Sequence, residues 1–156
     1  MSIRPWLIAL ALVPLAVASC RRRVETPTPP PAPVAPAPVS FHAAIEPVLA
    51  RHCASAEGCH GEHPTHSVSL DLRAGHAYQA LVSTPAKIRD GALRVVPGGP
   101  ERSFLMDKLL GTLTEEEGKA MPLDPDTGAP LQASTLPAGF VETTLTEWIA
   151  RGAPNN

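Results

Sequence analysis

Apolar positions recur at helical spacing in four stretches of the chain. In the first, Phe41, Ile45, Val48, Leu49 and His52 fall at i, i+4, i+7, i+8 and i+11, one face of a helix. Ser40 suits the N-cap, because its hydroxyl can accept from a first-turn N–H that lacks a helical partner. Pro47 lies inside this run and predicts a kink or a late start. A short helix is predicted over 75–82, with Tyr78 and Leu81 inward. A third helix begins at Pro100, which suits a first turn, and Glu101 sits at its positive end. Its apolar residues Phe104, Leu105, Met106, Leu109 and Leu110 predict a broad buried face, and Gly111 can close it. The last helix is predicted over 140–151, with Val141, Leu145, Trp148 and Ile149 inward and Gly152 ending it.

The connecting stretches read differently. Residues 69–72 (Ser-Leu-Asp-Leu) suit a short extended piece, and 84–94 a loop. Residues 95–99 approach a turn at Pro97-Gly98-Gly99. From 112 to 139 the pattern is irregular, with four prolines and an acidic run at Glu115, Glu116 and Glu117. A loop of this length inside a compact domain is usually functional or disordered. Strand-like alternation is scarce and no internal repeat is found. The expected class is mainly α: a single domain of 3–5 helices with long loops over 40–154.

The first 39 residues belong to other categories. Arg4 and the apolar run over 6–18 lead to Val17-Ala18-Ser19-Cys20. The run is short for a membrane span and its flanks fit a signal peptide. Cleavage before Cys20 would make 1–19 the signal and Cys20 the lipid-attachment residue, as in bacterial lipoproteins. A plain secretory signal is the other reading. Arg21 in place of an acidic residue favours the outer over the inner membrane. Residues 20–39 form a linker rich in proline, an extended spacer that cannot bury a core. At about 3.1 Å per residue, 26–38 could reach roughly 40 Å.

Charge narrows the partners. Over 40–156, nine Lys and Arg stand against fourteen Asp and Glu, a net of −5. So acidic a domain is a poor fit to nucleic acid. Aromatic residues make up only 4% of the chain. With so little bulk and so much loop, the domain has room for a buried group.

The chemistry concentrates at Cys53-Ala-Ser-Ala-Glu-Gly-Cys59-His60. If Cys20 is lipidated, Cys53 and Cys59 are left as a pair. Two cysteines followed at once by histidine is the arrangement of a c-type haem attachment site, normally C-x-x-C-H. Here five residues separate the cysteines; Ala54, Ser55, Ala56 and Gly58 are small enough to bulge. A Cys53–Cys59 disulfide is the competing reading in an oxidising compartment. A zinc site from Cys53, Cys59, His60 and His63 is a third, although adjacent Cys59 and His60 are awkward tetrahedral partners. No nucleophile–base motif or phosphate loop points to an enzyme.

The order of features extends the comparison. An apolar helix precedes Cys…Cys-His-Gly; then come Leu70-Asp71-Leu72, Val95-Val96-Pro97-Gly98-Gly99-Pro100-Glu101-Arg102-Ser103-Phe104-Leu105, Met121-Pro122 and Trp148-Ile149-Ala150-Arg151-Gly152-Ala153. Over 41–153 this resembles the small class I cytochrome c domains, most closely their planctomycete-type branch. The x5 spacing departs from the usual motif. The resemblance implies a cytochrome c-like fold whose terminal helices cross. It implies one covalent haem c, with Cys53 and Cys59 as thioethers, His60 as proximal iron ligand and Met121 as distal ligand. Met106 is the rival thioether, but its helical spacing places it in the core; His63 and His66 could also compete as distal ligands, although a short loop after His60 rarely reaches the opposite face of a haem.

The expected function is a membrane-tethered, monomeric electron carrier serving redox proteins of a bacterial cell envelope. Its domain would lie in the periplasm or at the cell surface. A haem-based sensor and a haem-free, disulfide-stapled interaction module are the alternatives.

Overall fold

The computed structural model describes residues 37–54, 59–62 and 69–156. The expectations for the signal peptide, for Cys20 and most of its linker, for the spacer 55–58 and for His63 and His66 lie outside the described residues.

The described residues are mainly helical. The chain enters through a wide π-helical turn, Phe41–Ile45, and narrows into α1, Glu46–His52. The Ser40 hydroxyl accepts from the Ala43 N–H at 3.2 Å, which is the predicted N-cap. Pro47 stands in the first turn of α1, where its missing N–H leaves no helical bond unmade. The late α start expected from Pro47 is therefore realised as a change of helical pitch. The C-terminal region repeats the construction: a π turn, Phe140–Leu145, runs into a last α segment. Between these ends lie α2, Ala77–Leu81, and α3, Phe104–Leu110; the last segment is α4, Thr146–Ala150.

The two end regions meet around an aromatic cluster. Phe41 lies 5.2 Å from both Trp148 and Tyr78, and Tyr78 lies 6.4 Å from Trp148, between ring centres. Such pairs add about 0.5–1.5 kcal/mol each beyond the area they bury. The polar handles are satisfied. Trp148 Nε1 donates to the Pro154 carbonyl and the Tyr78 hydroxyl to the Ala153 carbonyl, each at 2.9 Å. Ile45, Leu49, Leu81, Val95, Leu145 and Ile149 complete a fully buried core. The domain closes on itself at its ends: the Asn156 carbonyl accepts from Ser40 Oγ at 2.7 Å and from the His42 N–H at 3.0 Å. Asn156 Oδ1 accepts from the Phe41 N–H.

The stretch expected as loop over 84–94 is tied by backbone hydrogen bonds, among them Ala86 N–H to the Ala92 carbonyl and Arg94 N–H to the Thr84 carbonyl. Val82 pairs with Val95, Pro85 with Leu93, and Leu93 with Ser103, as isolated bridges. Among the described residues none of these lengthens into a strand. The buried Ser103 hydroxyl donates to the Gly99 carbonyl and accepts from the Val96 N–H, fixing the approach to α3.

α3 requires two corrections. Leu110 is 51% exposed, not part of the buried face. Neighbouring helical positions point about 100° apart, so with Leu109 inward Leu110 must face out. Phe104 is buried as expected, but α3 starts there, after a 3-10 turn at Pro100–Arg102, and not at Pro100. Gly111 ends α3 in the left-handed region, φ 75°, as expected of a glycine C-cap. Met106 is buried in the core cluster.

The irregular stretch 112–139 contains 3-10 turns at Glu115–Glu117 and Ala133–Thr135 and returns to the core at Leu136. Among the described residues no helix is long and apolar enough to cross a membrane.

Candidate functional site

The site begins where α1 ends. Cys53 is its C-cap residue, and the Cys53 N–H donates to the Leu49 carbonyl. The Cys53 carbonyl in turn accepts from the His60 N–H at 2.9 Å. That one bond joins the two ends of the five-residue excursion and brings His60 back beside α1. The next residue, Gly61, is buried, and a Cβ there would stand 3.2 Å from the Ala54 carbonyl oxygen. The glycine after the histidine therefore permits a close backbone approach.

The imidazole of His60 is oriented by the extended piece that follows. Its Nδ1 lies 3.3 Å from the Leu70 carbonyl, and the Leu72 N–H donates to the His60 carbonyl at 2.7 Å. A carbonyl can only accept, so Nδ1 carries the proton and Nε2 keeps its lone pair. Burial holds the His60 pKa below its ordinary value. The bond to Leu70 opposes that shift, and the nearby cations Arg94 and Lys108 assist it. At neutral pH the ring is a neutral Lewis base.

His60 lines a pocket of ≈ 200 Å³ that is open to solvent on one side. A concave, mainly apolar lining with a few convergent polar groups is the form of a small-molecule or cofactor site. Cys53, Cys59, His60 and Met121 all line it. The structure thus brings together the four residues singled out to attach and ligate a haem, from two separate stretches of chain. Leu49 and His52 continue the wall from α1, and Phe104, Leu105, Lys108 and Leu109 form it from α3. Pro122 and Leu123 extend it beyond Met121. Both thiols are free and half-buried. Burial, and then the neighbouring Cys59, push the Cys53 thiol up to about 11. A neutral thiol is the stable form there in the unmodified chain.

Comparison with family models, with curated proteins and with solved structures gives no match for the chain. The chemistry of the pocket therefore has to be read from its own residues.

Other wall residues were not anticipated. Arg94 is only 8% exposed, and its one side-chain hydrogen bond among the described residues runs from NH1 to the Ala80 carbonyl at 2.7 Å. No carboxylate pairs with it among the described residues. Lys87 and Lys108 also line the pocket, and among the described residues no Asp or Glu does. An acidic domain thus holds an apolar pocket whose charges are positive. A trace of this was present in Leu93-Arg94-Val95-Val96, where a lone arginine interrupts an apolar run. Phe104, buried as expected, also forms pocket wall, with the Arg89 guanidinium 4.6 Å from its ring centre.

Among the described residues, no three His, Cys, Asp or Glu side chains converge as a metal-binding group. Cys53, Cys59 and His60 are therefore not arranged as the tetrahedral set of a structural zinc site. His63, the fourth ligand of that reading, lies outside the described residues.

Proposed function

We propose that the protein is a monohaem c-type cytochrome that carries electrons between redox proteins of a bacterial cell envelope. The observation that supports it best is the pocket shared by Cys53, Cys59, His60 and Met121. The donor set fits the group: two thiols able to form thioethers, an imidazole with a free Nε2, and a thioether on another segment. The fit extends to the surroundings. The walls are mainly apolar, as a porphyrin face requires, and buried Arg94 with Lys87 suits its carboxylates.

In this reading Cys53 and Cys59 would tether the group, and His60 and Met121 would ligate its iron. Haem with His and Met ligands supplies reversible one-electron chemistry at raised potential. The chain's own contribution is to fix the ligands and exclude water. Leu70 orients His60, the Cys53–His60 backbone bond sets the spacing of the attachment segment, and Leu49, Leu81 and Leu109 keep the interior dry. The cytochrome c-like topology, one haem per chain and a monomeric state are parts of the same proposal. So are the signal peptide over 1–19, a lipid on Cys20 and residence at the periplasmic or outer face of a membrane. Electron transfer is favoured over ligand sensing because Met121 stands on the pocket wall, available to complete the coordination.

The test is expression in a bacterium that matures c-type cytochromes, followed by a haem stain after denaturing electrophoresis and a reduced pyridine spectrum. Covalent haem is expected, and its absence would overturn the proposal in favour of the haem-free disulfide module. The thioether-to-iron absorption band should survive Met106→Ala and vanish in Met121→Ala. Cys20→Ser should release the protein from the membrane fraction; retention there would sink the lipoprotein reading alone.

A further inference from the structure

Lys108 is placed unusually for a lysine. It sits on α3 with its side chain on the pocket wall, half-buried. Its ammonium is engaged by main chain: Nζ donates to the Glu117 carbonyl at 2.6 Å and to the Lys119 carbonyl at 3.0 Å. Its own carbonyl accepts from the Met121 N–H at 2.8 Å. A single residue thus grips the segment 117–121 from both its side chain and its backbone, and the grip ends on Met121 itself.

The surroundings reinforce the direction of this grip. Arg89 Nε and Nη2 donate to the two carboxylate oxygens of Glu117, the latter at 2.9 Å, and Nη1 donates to Asp107 Oδ2 on α3. Glu117 Oε2 also accepts from the Thr114 N–H. The beginning of the segment is therefore pinned to the turn of α3 that carries Lys108. Met121 occupies no helix of its own, and methionine has three freely rotating side-chain bonds. Its sulfur can be held at a fixed place only if the backbone beneath it is fixed.

We propose that Lys108 is a positioning residue for Met121, holding the thioether sulfur at the pocket by clamping the backbone of 117–121 to α3. This rests on the reading of the pocket as a haem site. A thioether is a weak, neutral ligand, so its bond to iron competes with water and added bases whenever its support loosens.

The experiment compares holoprotein variants with covalent haem quantified in each. In Lys108→Gln the covalent haem should remain. The ferric thioether-to-iron band should fall at least twofold, and imidazole should displace Met121 at an about tenfold lower concentration. Lys108→Arg, which keeps a charged donor of full reach where the glutamine amide is neutral and shorter, should recover part of the band. Thr112→Ala removes a different bond to α3, from Thr112 Oγ1 to Asp107 Oδ1 at 2.8 Å. It should leave the band unchanged and so controls for general loosening. A wild-type band that persists undiminished in Lys108→Gln overturns this proposal while leaving the haem reading intact. So does equal loss in Thr112→Ala. Covalent haem without the band in the wild type removes Met121 as a ligand and this proposal with it. If Lys108→Gln fails to fold, Arg89→Gln serves instead: by unpinning Glu117 it should shift imidazole displacement in the same direction, and no shift counts against the clamp.

Discussion

Single residues of the site act through what they lack as much as through what they bond. The Arg94 side chain is buried with one carbonyl partner among the described residues, beside a pocket that no described carboxylate lines. A buried cation near a redox centre favours the reduced form. An interaction of about 1 kcal/mol corresponds to roughly 40 mV for one electron. If the pocket holds the proposed haem, Arg94→Gln should therefore lower its reduction potential by some tens of millivolts, and Arg94→Lys should restore part of the difference. Potentiometric titration checks this; an unchanged potential would place Arg94 away from the redox group. Gly61 shows the same economy, since its function is to have no Cβ where the Ala54 carbonyl approaches.

Among the elements, the acidic turn Glu115–Glu117 has a measurable consequence. Arg89 and then the Thr114 N–H hold the Glu117 carboxyl at about 2, against an ordinary value of 4.5. A carboxyl with a depressed folded-state pKa adds stability that is fully present above its unfolded value. That stability is lost as pH falls through the folded one. The advantage of the wild type over Glu117→Gln should thus be constant above about pH 5 and shrink toward pH 2. Denaturant unfolding at a series of pH values checks the slope, and a difference independent of pH would show that Glu117 is not paired in solution.

The elements also show what periodicity could convey. The four helical stretches were legible because Phe41, Ile45, Leu49, Leu81, Leu145 and Trp148 repeat with the helix and are buried. Ser40 and Gly111 marked ends by local chemistry, which needs no tertiary information. Leu110 was misjudged because composition makes both it and Leu109 apolar, and only packing decides which one turns inward. The π turns were not legible, since their wider spacing differs from the α repeat by a single residue.

Across the whole molecule, the pocket was legible in its reactive members and hidden in its walls. Cys53, Cys59, His60 and Met121 carry distinctive chemistry and could be named before any packing was known. Arg94, Lys108 and Phe104 could not, because a charged or aromatic residue in a loop or on a helix looks the same whether it meets solvent or a cavity. The bonded network over 82–95 was likewise invisible, since it depends on pairing between residues distant in sequence.

The bonds from Asn156 to Ser40, Phe41 and His42 have a topological consequence. They put residues 40 and 156 side by side, so the order in which the core is threaded is separable from its shape. A short glycine–serine bridge from Asn156 to Ala37 could join those positions, and the chain could be reopened between Asp126 and Thr127, in the turn that the Asp124 carboxylate closes. Such circular rearrangements succeed at exposed loop tips with small or polar residues. The rearranged domain should unfold cooperatively, with near-ultraviolet dichroism from Trp148 retained. Loss of that signal would mean that threading order, and not packing alone, holds the two end helices together.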